Sequence, residues 1–140
     1  MKIVTEYLDH SAAVFPDKAA VVDQNRTVTF KQLKEESLHI ASYIIKHYKK
    51  WHAPICFYLD KSAYCISAMM GIAYSGNFYT PVDTTMPAAR IEKILETLQN
   101  PLIITDKKHL SIVQEFVGDS DVFVWKMHRV KNMMNRKSEK

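Results

Sequence analysis

A chain of 140 residues with 47% hydrophobic and 24% charged residues is long enough for one domain with its own core, and its composition excludes disorder as the main state. No apolar run approaches the ~20 residues of a membrane-spanning helix, and Lys2, Glu6 and Asp9 stand where a signal peptide needs apolar residues, so cytoplasmic residence is expected. The net charge of +4 is localised: from Lys126 onward six Lys or Arg accompany one Glu, a balance of +5, and the remainder balances at −1. The expected organisation is a neutral domain over 1–125 followed by a basic, flexible tail over 126–140.

In chain order, Leu8, Ala12 and Phe15 share one face of a short amphipathic helix over 5–15 that Pro16-Asp17 stops. The β-prone runs 19–23 and 27–30 flank Gln24-Asn25-Arg26, a connection of hairpin length. Thr29 with Gln32 is a capping-box pattern, and Leu33, Ser37, Ile40, Ala41, Ile44 and Tyr48 repeat at helical spacing, with Lys34, Glu35, His39 and Lys46 on the solvated side. Ile55-Cys56-Phe57-Tyr58-Leu59 is a continuous apolar run suited to a central parallel strand. Ser62 caps a helix over 63–75 that is apolar nearly all round; helices over 88–99 and 108–117 alternate with strands over 78–82, 102–105 and 122–125. The predicted fold is α/β: an N-terminal helix and hairpin, then alternating β-α units forming a mostly parallel sheet with right-handed crossovers.

The stretch from Gly71 to Arg90 holds two of the three glycines and two of the five prolines. Gly76 falls where the preceding helix needs a C-terminal residue of positive φ. Pro81, lacking an N–H, predicts an edge or irregular strand, and Asp83, Thr84 and Thr85 offer oxygens to the next helix, with Pro87 in its first turn. The order Ala73, Gly76, Tyr79, Pro81, Asp83, Pro87, Arg90 resembles a motif of adenylate-forming (AMP-binding) enzymes, most similar to amino-acid adenylation domains of nonribosomal peptide synthetases and to D-alanine–carrier protein ligases. Val28-Thr29-Phe30-Lys31-Gln32-Leu33 is similar to an earlier element of the same family. The resemblance spans about residues 5–125, the opening part of such an enzyme. It implies a parent activity in which ATP and magnesium convert an amino or other carboxylic acid to acyl-AMP, followed by transfer to a thiol, often on a carrier protein.

The groups that would carry this chemistry are not identified here. With only Gly71, Gly76 and Gly118 available, no phosphate-binding loop of consecutive N–H groups can be written. The family's Ser/Thr/Gly-rich phosphate loop, its aromatic-Gly-x-Thr-Glu element and its late lysine have no counterpart, and Val117-Gly118-Asp119 lacks the threonine of the family's ribose contact. Asp83 reads as a turn and helix-start acceptor, and Arg90 as a surface partner for a carboxylate, in preference to substrate ligands. His10, His39, His47, His52, His109 and His128 form no metal-ligand spacing, and no serine lies in a G-x-S-x-G elbow. Cys56 and Cys65 read as buried free thiols. Tyr58, Tyr64, Tyr74, Phe78 and Tyr79 read as core.

No catalytic, cofactor-binding or metal-binding residue is therefore assigned, and no cofactor is expected for this chain by itself. The leading expectation is an N-terminal fragment of an adenylate-forming ligase, inactive alone, whose partners are the remainder of the adenylation domain or a carrier protein. The alternatives are a non-catalytic module that pairs with a separately encoded partner, and a nucleic-acid binder using the basic tail. No membrane association is expected.

Overall fold

The protein's structure, a computed structural model, describes residues 4–125; the tail expected over 126–140 and His128 lie outside the described residues. Helix α1 (Val4–Val14) precedes a hairpin of β1 (Ala19–Val22) and β2 (Thr27–Thr29), and helix α2 (Phe30–His47) follows directly. The chain then alternates through β3 (Pro54–Tyr58), α3 (Ala63–Tyr74), β4 (Phe78–Pro81), α4 (Ala88–Thr97), β5 (Leu102–Thr105), α5 (Leu110–Phe116) and β6 (Val122–Val124). No helix among the described residues is long and apolar enough to cross a membrane.

The four larger-sheet strands lie in the order β4-β3-β5-β6 and pair parallel throughout. The all-apolar β3 is internal, and every residue from Ile55 to Leu59 is buried, as a strand covered on both faces requires. On one face Ile55, Phe57 and Leu59 pack with Ile40 and Ile44 of α2, Ala68 and Ile72 of α3, and Trp125. On the other, Cys56, Tyr58 and Ile103 meet Ile91 and Leu95 of α4 and Val113 and Phe116 of α5. The crossover from β3 moves to one side and that from β5 to the other, so right-handedness puts α3 opposite α4 and α5.

Sequence determines each boundary locally. Thr29 and Gln32 complete the capping box: the Gln32 N–H donates to the Thr29 hydroxyl at 3.2 Å, and the Thr29 N–H to the Gln32 side chain at 2.9 Å. Ser62 caps α3 by accepting from the Tyr64 N–H at 3.2 Å. Gly76 ends that helix at φ +81°, a conformation that favours glycine. Helices α2 and α3 cross closely at Gly71, where a Cβ would stand 2.7 Å from Ile40 Cβ and 2.9 Å from the Ser37 carbonyl oxygen.

Four expectations require correction. The Asp83–Thr85 oxygens do not cap α4, which opens at Pro87 without a side-chain cap; Asp83 Oδ1 instead accepts the Thr85 N–H at 2.9 Å, closing the turn itself. Phe78 and Tyr79 are exposed, because β4 lies at the sheet edge where nothing described covers them. Cys65 is only half-buried, since it lines an open recess, whereas Cys56 is buried in β3. Arg90 lies exposed on α4 and makes none of the ion pairs found among the described residues.

Candidate functional site

Open α/β sheets gather their ligands beyond the carboxyl ends of the strands, at the point where the crossovers diverge. Here that point lies between β3 and β5, beyond Tyr58 and Thr105. The two strands are tied there by the Thr105 hydroxyl, which donates to the Tyr58 carbonyl at 2.8 Å. Next in sequence come Asp60 and Asp106, and both meet His109. The His109 Nδ1 lies 2.6 Å from Asp106 Oδ1, and its Nε2 lies 3.1 Å from Asp60 Oδ1. Lys108 donates to the other Asp60 oxygen at 2.7 Å. This hydrogen bond is the main reason the Asp60 carboxyl is held below the usual aspartate range, with the His109 contact assisting against partial desolvation.

A small polar recess of about 190 Å³ opens beside this cluster, walled by Asp60, Lys61, Tyr64 and Asp106 and by Asp23 and Arg26 of the hairpin turn. Asp23 fastens the turn to the sheet's carboxyl end. Its carboxylate accepts from the Asn25 N–H at 2.7 Å, the Arg26 N–H at 2.8 Å and, across the recess, the Ala63 N–H at 2.6 Å. The Ala63 bond, followed by those in the turn, holds the Asp23 carboxyl below its ordinary value. A lowered folded value means that stability is present above the ordinary carboxylate range and lost as pH falls through the folded one. Asp23→Ala should therefore lower the melting temperature at pH 7, and the gap from wild type should narrow as pH falls below 4 or so; paired thermal melts across pH check this.

Behind the recess, Arg26 ion-pairs with Glu36 and lies with its guanidinium 4.3 Å from the Tyr64 ring centroid. The Glu36 side chain is 2% exposed. Burial pushes its carboxyl above the ordinary glutamate value despite the opposing Arg26 charge.

A larger, apolar cavity of about 470 Å³ lies at the carboxyl ends of β3 and β4. Phe57, Leu59, Ile66, Val82 and Met86 form its walls, and Lys61 and Asp83 are among its polar residues. Tyr58 reaches toward this loop, its hydroxyl donating to the Thr84 carbonyl at 3.3 Å. Burial raises the Tyr58 hydroxyl, reinforced by the Asp60 and Asp83 charges. The sequence-derived residues thus separate: Asp83 reaches the cavity, Cys56 the core and Arg90 the exposed face of α4.

Chemically these groups are committed to one another. Both ring nitrogens of His109 lie within hydrogen-bond distance of carboxylate oxygens. Burial pushes the Cys65 thiol up, away from thiolate reactivity. The first N–H groups of α3 are already taken by Asp23 and Ser62, so this helix start is not a free phosphate cradle. Among the described residues, no cluster of three or more His, Cys, Asp or Glu is arranged to hold a metal ion.

The His109–Asp60–Asp106 cluster and the Glu36 pair were missed in the sequence. Asp106 and His109 have a legible i,i+3 spacing, but Asp60 arrives from a different strand. Glu36 lies three residues after Leu33 and four before Ile40, both buried, and that spacing marks the inward face of α2.

Comparison with known proteins gives the same architecture and a family. Over 105 residues, 75% of this chain, it is 32% identical to surfactin synthase subunit 1 of Bacillus subtilis, of which it covers 3%. It is 33% identical over 105 residues, again 75% of its length, to the D-alanine–D-alanyl carrier protein ligase of Bacillus cereus, and spans 21% of that protein. The solved complex of VinN with 3-methylaspartate matches 96% of this chain and 37% of its own at a TM-score of 0.81 and 16% identity, a likeness of fold. The family model described as AMP-binding enzyme matches residues 8–138: the chain belongs to the AMP-binding, adenylate-forming enzyme family.

Proposed function

We propose that this chain is the opening segment of an adenylate-forming ligase whose parent reaction activates an amino or other carboxylic acid with ATP and passes the acyl group to a thiol on a carrier protein. The observation that carries the reading is that the seven matched positions from Ala73 to Arg90 span one structural unit. Ala73 lies in the last turn of α3, Gly76 ends it, Tyr79 and Pro81 form β4, Asp83 closes the turn, and Pro87 and Arg90 open α4. Its likeness to a carrier protein ligase over three-quarters of its length supports the proposed class of reaction.

In this segment the matched residues are scaffold. They set the edge of the sheet and aim α4, and they leave phosphate binding and charge stabilisation at the reacting centre to other sequence. The chain alone is accordingly inactive. Magnesium-dependent ATP–pyrophosphate exchange, assayed on the purified chain with each amino acid in turn, should stay at background. Exchange above background that is saturable in one amino acid would overturn the assignment of this chain as scaffold only.

A further inference from the structure

We propose that the apolar cavity at the carboxyl ends of β3 and β4 is the seat of this chain's own final segment, with Met133 and Met134 filling it. The inference is independent of the ligase reading. It starts from Trp125, the last described residue. The Trp125 N–H donates to the Thr105 carbonyl at 2.7 Å, which carries the β5–β6 pairing one step past Val124. By that register Trp125 stands at the level of Asp106 and Leu59, and it shares a sheet face with Phe57 and Leu59. The cavity opens on the same face and at the same end, between Phe57 and Leu59 and the Cys65 and Ile66 side of α3.

The polar recess joins the two places. Asp106, beside Trp125, forms one wall of it, and it shares Leu59, Lys61 and Ser62 with the cavity. A segment that runs from Trp125 toward β4 passes from the one into the other. Trp125 itself is 1% exposed, and its Nε1 has no acceptor among the described residues. An unpaired buried donor is costly, and the residues that directly follow it carry carbonyls able to accept.

Length and pattern select the occupant. In sequence, Met127, Val130, Met133 and Met134 recur at the spacing of one helix face. Strands β6 and β4 stand three strand spacings apart, about 14 Å. Met133 and Met134 come eight and nine residues after Trp125, a distance of about 12–14 Å along a helix. The two methionines therefore arrive at the cavity while Val130 is still over the recess. Methionine is unbranched and adaptable, which suits an open, irregular apolar space. A second copy or a foreign chain must be supplied from solution, whereas a short link holds this segment at millimolar effective concentration. The exposed Trp51 and Phe78 offer no nearer seat, because they lie at the amino ends of the strands, opposite Trp125.

Cys65 supplies the readout, because it lines the cavity and is half-buried, whereas Cys56 is buried in β3 and reports unfolding. The alkylation rate of the full chain is measured at one mildly alkaline pH. Met133→Gln with Met134→Gln should raise the Cys65 rate about tenfold with Cys56 still protected, and Arg136→Gln with Lys137→Gln should leave it unchanged. Methyl NMR of the full chain reads the contact directly: nuclear Overhauser effects are expected from the Met133 and Met134 methyls to Ile66 and Val82. Mixing labelled with unlabelled chains should show that they arise within one molecule. Equal Cys65 rates in wild type and the glutamine variant overturn the proposal, as do methionine methyls without contact to Ile66 or Val82. Contacts found only between labelled and unlabelled molecules also overturn it, by placing a second copy in the cavity.

Discussion

Gly71→Val is expected to abolish the cooperative unfolding transition, and Gly71→Ala to cost about 1–2 kcal/mol in urea denaturation. The site is the crossing of α2 and α3, with Gly71 buried against Ile40 and Ser37. An added Cβ would stand 2.7 Å from Ile40 Cβ and 2.9 Å from the Ser37 carbonyl oxygen. Neither atom can turn aside by a rotamer change, because one is fixed to the backbone and the other belongs to it. The helices must separate, and the whole face built from Ile40, Ile44, Ala68 and Ile72 separates with them. Alanine returns at most about 1 kcal/mol through its helix propensity. Valine adds two methyl groups and a β-branch, pushing the cost to roughly 3 kcal/mol or beyond, a large share of a small domain's stability. A Gly71→Ala variant as stable as wild type would show that the helices are not in contact here.

Arg26→Ala should cost at most about 3–5 kcal/mol, the range for removing one partner of a fully buried ion pair, because only the Glu36 side of this pair is fully buried and the Arg26 side chain is 23% exposed. The loss comes chiefly from what remains: a Glu36 carboxylate 2% exposed and without its guanidinium. The pH dependence identifies the cause. Burial already places the folded Glu36 carboxyl above its unfolded value. Between those two values the native state holds a proton that the unfolded chain has released, so this group's contribution to stability falls as pH rises through the window. Without Arg26 the folded value climbs further and the window widens upward. Arg26→Ala should therefore regain stability on acidification, and Arg26→Ala with Glu36→Gln should be more stable than Arg26→Ala alone at pH 7. Chemical denaturation at pH 5 and pH 7 separates this from lost packing against Tyr64, which would be independent of pH.

Much of the fold was legible because its cues are local. The capping box at Thr29 and Gln32, the cap at Ser62, positive φ at Gly76 and the edge position implied by Pro81 each depend on a few neighbouring residues. The unbroken run from Ile55 to Leu59 identified the interior strand for the same reason. Legibility ended where two distant segments meet. Nothing beside Asp60 announces that it will share His109 with Asp106, and nothing beside Asp23 announces the Ala63 N–H. The turn at Asp83 shows the opposite limit: its residue types suit a helix cap and a self-closing turn equally, and the chain uses the second.

The sheet order also determines when the chain can begin to hold together. Pro54 of β3 pairs with Phe78, and Ile55 on its other side pairs with Leu102. As the polypeptide leaves the ribosome, its most apolar strand emerges before either neighbour exists and waits through two crossovers for the second. Such long-range pairing is slow to form and exposes an aggregation-prone segment meanwhile. The hairpin, α2 and α3 are made from sequence closer at hand, and α2 and α3 cover one face of β3. During synthesis they act as the first shelter for a strand that the completed sheet later encloses.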